Sequence, residues 1–186
     1  MTAVSNMGGI TISRASIEDA AELADFAARS FKDAFSEDNR PEDMQAHLDA
    51  SYGVEQQSAE LADPDVVTVL GRSGSALVAY AQVRRSSPPP CVTQADPIEL
   101  HRFYLDRSMH GTGLAATLMQ EAFRVATELG GLHLWLGVWE RNPRAIAFYG
   151  KCGFRDVGSQ FYMVGPDKQT DRVLVVEIDS AANRDR

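Results

Sequence analysis

Cysteine is nearly absent from this chain: Cys91 and Cys152 are its only two, too few for a disulfide framework. The opening residues, MTAVSNMGGI, lack the basic segment and apolar core of a secretory signal. Reduced thiols and a cytoplasmic location are therefore expected. No apolar run approaches the ~20 residues that cross a bilayer, so no membrane partner is expected. The four histidines are scattered and no Cys/His group has metal-ligand spacing, so no metal is expected. A G-x-x-x-x-G-K-[ST] phosphate loop is missing, and so is a full G-x-G-x-x-G dinucleotide fingerprint. There is no excess of positive charge. The net charge of −8 argues against nucleic acid as a partner.

What remains is an ordinary globular composition, 44% hydrophobic over 186 residues, enough for one domain spanning 1–186 with its core at about 9–178. Residues 9–14 read as a strand. Ser16 caps a helix to about Phe35, with Asp19 in the capping-box position and an apolar face of Leu23, Phe26, Ala27, Phe31 and Ala34. Pro41 opens a second helix over 41–51. Strands at 66–70 and 75–83 flank the Gly71–Gly74 hairpin signal, and Ser86–Pro97 is a surface loop. Then follow strand 98–105, helix 113–129, strand 132–138, helix 143–151 and strands near 154–163 and 172–178. The closing AANRDR reads as frayed. The order βααββ-βαβαββ predicts an α/β fold: a mixed, mostly antiparallel central sheet flanked by helices, with one parallel pair around helix 113–129.

Charge is unevenly spread. Residues 16–65 hold fourteen acids against three bases, and the rest of the chain carries a small positive excess. One reading is a solvated helical surface. The other is a field that draws a cationic substrate to one side of the molecule while a polyanion binds on the other.

The chemistry concentrates in two segments. In the first, strand Ile98–Leu105 leads into Gly111-Thr112-Gly113, and a helix starts at once with Leu114, Leu118, Ala122, Val125 and Leu129 at helical spacing. A glycine turn at a helix N-terminus offers unpaired amides and a positive dipole end to an anion. In the second, the apolar run LHLWLGV precedes Asn142-Pro143, a good N-cap and N1 pair, and a short helix ending at Gly153.

Together these segments resemble the GNAT family of acyl-CoA-dependent N-acetyltransferases. The family's [QR]-x-x-G-x-[GA] loop is similar to His110-Gly111-Thr112-Gly113-Leu114-Ala115, with His110 in place of the leading Gln or Arg. The later N-x-x-A-x-x-F-Y-x-K-x-G-F pattern runs in full from Asn142 through Ala145, Phe148, Tyr149, Lys151 and Gly153 to Phe154. The resemblance covers about residues 98–165. The WLGVWERNPRAIAFY stretch and the Gly165…Gln169-Thr170-Asp171 segment look most like the branch of bacterial spermidine/spermine acetyltransferases.

The resemblance implies acetyl-CoA as co-substrate and assigns roles residue by residue. Phe103 offers its N–H to the acetyl carbonyl and Leu105 pairs with the pantetheine arm. The amides of His110, Gly111, Thr112, Gly113, Leu114 and Ala115 face the pyrophosphate, and Asn142 contacts the pantetheine as well as capping its helix. Tyr149 is the acid that serves the departing thiolate. Glu99, four residues before Phe103, stands where some members place a general base. His101, which alternation would put on the same strand face as Glu99 and Phe103, is a second candidate. Trp135, Trp139 and Lys151 are read as structural.

The leading functional reading is acetyl transfer to a primary amine, a small polycation such as a polyamine being the favoured acceptor. Two alternatives stand beside it: a protein N-terminal or lysine acetyltransferase, and a non-catalytic acyl-CoA-binding module. Both a monomer and a homodimer fit the chain.

Overall fold

A computed structural model describes residues 5–7, 9–36, 39–164 and 166–178. The AANRDR end, Gly165, and Glu37 and Asp38 of the acidic stretch lie outside the described residues. The elements run β1 (Ser5–Met7), β2 (Ile10–Arg14), α1 (Ala20–Phe35), α2 (Pro41–Ser51), α3 (Val54–Ala62), β3 (Val66–Ser73), β4 (Ala76–Arg84), β5 (Pro97–Leu105), α4 (Leu114–Glu128), β6 (His133–Trp139), α5 (Pro143–Lys151), β7 (Arg155–Val164) and β8 (Asp167–Glu177). The strands form one sheet of eight in the order β1-β2-β3-β4-β5-β6-β8-β7. Every pairing is antiparallel except β5–β6, which α4 joins by a crossover. Among the described residues no helix is long and apolar enough to cross a membrane.

The two faces of the sheet carry separate cores. On one, α4 buries Leu114, Leu118, Met119, Ala122, Val125 and Ala126 against Ile98, Leu100, Leu134 and Leu136. On the other, α1 and α2 bury Leu23, Phe26, Ala27, Phe31 and Met44 against Leu70, Leu77 and Tyr80. Ala34, expected on the apolar face of α1, is exposed and lines a cleft described below. The Ser16–Asp19 box is present, but it closes a single 3-10 turn, Ile17–Asp19, ahead of α1. Asp19 Oδ2 accepts the Ser16 N–H at 2.7 Å.

Strand β1 and helix α3 were not expected from the sequence. α3 has no apolar stripe to announce it, and its one buried residue is Gln57. A polar interaction fixes it instead. Arg102 of β5, buried on the α1–α3 side of the sheet, forms an ion pair with Glu60 of α3. It also donates to Gln82 Oε1 at 3.1 Å and to the Ser51 carbonyl at 3.2 Å, and lies 4.9 Å from the centre of the Tyr52 ring. Gln82 in turn donates to Glu60 at 3.0 Å. The guanidinium and its neighbouring hydrogen bonds keep the Glu60 carboxyl below its ordinary range, against the upward push of burial. Removing one member of a buried pair strands the other charge and costs about 3–5 kcal/mol. Glu60→Ala should therefore lower the unfolding free energy in urea by about 3 kcal/mol, with a fall in Tm of roughly 6–12 °C. A loss under ~1 kcal/mol would show that apolar packing, not this pair, holds α3.

Candidate active site

The site begins where two strands part. β5 and β6 pair only over Pro97–Glu99 and His133–Trp135, although β5 continues to Leu105 and β6 to Trp139. Asp106 donates its N–H to Val78 O at 2.8 Å, across the β4 edge. Antiparallel alternation then turns the Tyr104 N–H toward β4 and those of Phe103 and Leu105 toward the opposite edge, where β6 has moved away. A cleft of about 970 Å³ opens along this edge, and Phe103, Leu105, Tyr149 and Asn142 all line it.

At one end of the cleft lies the glycine turn. Gly111 and Gly113 take φ of 79° and 89°, a backbone region that costs other residues and suits glycine, and Gly113 is the N-cap of α4. The six amides assigned to the pyrophosphate divide into two sets. Those of His110, Thr112 and Leu114 make long internal bonds, to Arg107 O at 3.2 Å, Met109 O at 3.4 Å and Thr112 Oγ1 at 3.4 Å. Thr112 and Leu114 also stay off the cleft wall, and Leu114 is core. Gly111, Gly113 and Ala115 line the cleft. They are the part of the loop whose amides can meet an anion at a helix N-terminus. His110 is exposed, and its pKa is lowered by burial of the ring edge and by the Arg144 and Arg107 charges. It is a neutral imidazole at pH 7. Positive charge at this end comes from Arg107 and Arg144, which line the cleft and which no motif had singled out.

Tyr149 is buried and lines the cleft, its ring 6.3 Å from Phe103 and 5.5 Å from Phe148. Burial, with a smaller contribution from Cys152, raises the hydroxyl pKa, so it stays a hydrogen-bond donor across the physiological range. Asn142 Oδ1 accepts the Ala145 N–H at 3.1 Å, and the same residue lines the cleft, so capping does not remove it from the site.

Glu99 and His101 sit together, but not on the face of Phe103. The β4–β5 register passes from Gln82↔Arg102 to Val83↔Leu100, leaving His101 as an extra residue in a β-bulge. A bulge reverses the alternation beyond it. Ile98, Leu100, Phe103 and Leu105 pack toward α4, while Glu99 and Arg102 face the α1–α3 side. The expectation of one shared face fails for this reason. Glu99 accepts from Arg84 Nε at 2.6 Å and lies 3.3 Å from His101 Nδ1. Burial alone would raise its carboxyl; the hydrogen bonds from His101 and Arg84 outweigh it and hold the group at about 2. Burial lowers the His101 pKa, leaving a neutral ring.

Farther along the same face, Trp139, Asp171 and Gln160 stand side by side in register across β6, β8 and β7. All three line the cleft, as does Trp135. Trp135 packs as expected of a structural residue, against Val92, Val173 and Val175, whereas Trp139 belongs to the cleft wall. Among the described residues no group of three or more His, Cys, Asp or Glu is arranged to hold a metal.

The diverging edge, the glycine turn and the arginines suit an elongated, phosphorylated thioester, and comparison with known proteins agrees. The model of the acetyltransferase (GNAT) family matches residues 25–154. An uncharacterized N-acetyltransferase of Mycobacterium tuberculosis is 34% identical over 160 residues, 86% of this chain and 98% of that one. The N-alpha-acetyltransferase RimI of the same organism is 34% identical over 116 residues, 61% of this chain and 69% of its own. Among solved structures, the PaiA N-acetyltransferase of Thermoplasma acidophilum, in complex with coenzyme A, superposes with a TM-score of 0.73 at 22% identity, covering 90% of this chain and 98% of that one. The spermidine/spermine N-acetyltransferase SpeG of Vibrio cholerae gives 0.66 at 16% identity, covering 97% of this chain and 100% of that one, which is a likeness of fold and not of acceptor. The chain belongs to the GNAT family, as an N-acetyltransferase with acetyl-CoA as its co-substrate.

Proposed function

We propose that the protein acetylates the primary amine of a small cationic acceptor, with a polyamine as the favoured substrate. The observation that carries the reading is the parting of β5 from β6. It leaves one cleft with strand amides and the glycine turn along one side, and polar side chains of the α1–α3 face along the other. For a polycation in particular, the support is three carboxylates of the cleft wall with no ion pair among the described residues: Asp33 and Asp106, both exposed, and Asp171 inside. Asp33 is the one acid of the acidic stretch that, among the described residues, reaches the cleft. Asp19 and Glu22 pair with Arg72, Asp43 with Arg40 and Glu60 with Arg102.

Acetyl-CoA supplies an acetyl group as a thioester. In our reading, the N–H of Phe103 meets the acetyl oxygen and polarises the carbonyl, the N–H of Leu105 and Asn142 hold the pantetheine, and Gly111, Gly113 and Ala115 hold the pyrophosphate. The neutral amine nitrogen attacks the carbonyl carbon, the C–S bond breaks, the sulfur takes a proton from the Tyr149 hydroxyl and leaves as the thiol, and the proton that the nitrogen sheds on becoming the amide restores the tyrosine. The acceptor must first lose a proton, which at neutral pH costs roughly 4–5 kcal/mol for a group of pKa ~10.4. Glu99, held near 2 by His101 and Arg84, is too weak a base for this. We give it a positioning role: it accepts the Nδ1–H of His101, and the neutral ring presents Nε2 as the proton acceptor.

Acetylation of a protein N-terminus is the second reading, and the RimI relative is what favours it. Adding a peptide with a free N-terminus to the acceptor series below separates the two.

Three outcomes are expected. Gly113→Val forces a branched residue into φ near 89° and should weaken coenzyme A binding at least about tenfold by calorimetry. An unchanged affinity would remove the turn from the site. Tyr149→Phe keeps the ring contacts and removes the donor; kcat should fall roughly 10–10³-fold with little change in coenzyme A affinity. Equal kcat at every pH would take Tyr149 out of the mechanism. Finally, a polyamine should show kcat/KM at least about tenfold above a monoamine of equal length at low salt, and the gap should narrow as salt rises. If the monoamine keeps pace with it at low salt, the polycation reading is wrong.

A further inference from the structure

Three acids are buried among the described residues, and only one lacks a basic partner. Asp43 bonds Arg40 and Glu99 bonds Arg84, whereas Asp171, 8% exposed, has no ion pair among the described residues. Burial with no compensating cation pushes its carboxyl up to about 6. A buried carboxylate without a cation is costly to keep charged, and a bound cation removes that cost.

Its surroundings suit an organic ammonium. In the neighbouring strand β6, Gly137 leaves a hollow into which two polar heads lean: a Cβ built there would lie 2.7 Å from Gln160 Nε2 and 3.0 Å from Asp171 Oδ2. Trp139 stands next to Asp171 in register, with the Phe35 ring edge-on to it at 5.9 Å, and Tyr162 lines the same cleft. Aromatic faces beside a carboxylate attract alkylammonium groups. Trp135 lines the same cleft, 3% exposed and on the same face of β6 as Gly137, and among the described residues its indole N–H has no hydrogen-bond partner; as a donor it suits an acceptor atom of a ligand or water in the cleft and not the ammonium itself.

We infer that Asp171 is the carboxylate that receives the non-reacting ammonium of a diamine segment, while the other nitrogen of that segment meets the thioester. The inference rests on the amine acetyltransferase reading above and adds to it a residue and a second subsite. The assignment to the distant nitrogen follows from the sheet. Asp171 is on β8, and β6 lies between it and β5. Two strand spacings of ~4.8 Å set a lower bound of about 10 Å between the carboxylate and the β5 edge, and the parting of β5 from β6 widens it, farther than contact with a nitrogen attacking beside Phe103 allows.

The test uses the full-length protein with acetyl-CoA, a diamine and the monoamine of equal length. In Asp171→Asn the ratio of kcat/KM for diamine over monoamine should fall about tenfold, toward one, mainly through KM for the diamine, as expected for loss of a charge-assisted hydrogen bond. Gly137→Ala, which keeps the carboxylate but crowds it, should lower the same ratio, and serves if Asp171→Asn does not fold. Calorimetry of the diamine against the protein–coenzyme A complex reads the subsite without turnover, and Asp171→Asn should weaken that binding about tenfold. An unchanged ratio in both variants, or an equal fall for both amines, overturns the inference. If the wild-type protein acetylates no amine yet binds the diamine through Asp171, the catalytic reading fails and the subsite stands. If it acetylates amines and both variants keep the wild-type preference, the subsite fails alone.

Discussion

The active site depends on a hydrogen-bond ladder that stops. β5 and β6 are parallel neighbours for three residues and then separate, in a sheet whose other strands stay paired. A strand edge with unpaired N–H groups is normally a liability. Here it is turned inward, between two cores, and becomes a row of donors fixed by the sheet. The same parting admits a long ligand lengthwise. It also places the glycine turn at the mouth, since the chain leaving β5 must enter the α4 crossover there. The two cores then act differently. The α4 side packs the elements that carry the glycine turn and Tyr149, and the α1–α3 side walls the acceptor pocket we propose.

Electrostatics divides the pocket in a way that total charge does not reveal. Several acids of the N-terminal third serve structure: Glu60 anchors α3 through Arg102, and Asp19 and Glu22 hold Arg72. Inside, Glu99 and Asp171 are both buried carboxylates near the same surface, yet their environments push them in opposite directions, to about 2 and about 6. His101 and Arg84 account for the first, and burial without an ion pair among the described residues accounts for the other. Buried polar groups are expensive to leave unmatched, so this contrast between one satisfied and one unsatisfied acid says more about the acceptor than the net charge does.

One extra residue in β5 has a large effect. The bulge at His101 turns Phe103 toward α4 while Glu99 and Arg102 face the other way. Without it, Phe103 would share a face with Glu99, and the ring that stacks on Phe148 at 5.7 Å would be lost to the α5 side. A bulge next to an active site re-aims side chains in this manner.

Much was legible in the order of residues. The strand–glycine–helix junction at 105–114, the capped helix from Asn142 and the apolar periods of α1 and α4 are local features, and the structure has each of them within a residue or two. The positions lining the cleft from the glycine turn, Gly111, Gly113 and Ala115, were among those named, because backbone conformation at a helix start is set by nearby residues. Helix α3, with its polar anchor, left no apolar period to read. The bulge is a matter of register between two strands. The arginines at the cleft mouth, and the trio Trp139, Asp171 and Gln160, come from segments far apart in sequence that only the sheet order β6-β8-β7 makes neighbours. The sequence by itself determined most of the elements and the glycine turn at the start of α4, since these depend on neighbours along the chain. The tertiary structure alone decided which acids are paired, which face each side chain takes and where the strands part, since burial, charge partners and register exist only once distant strands lie side by side.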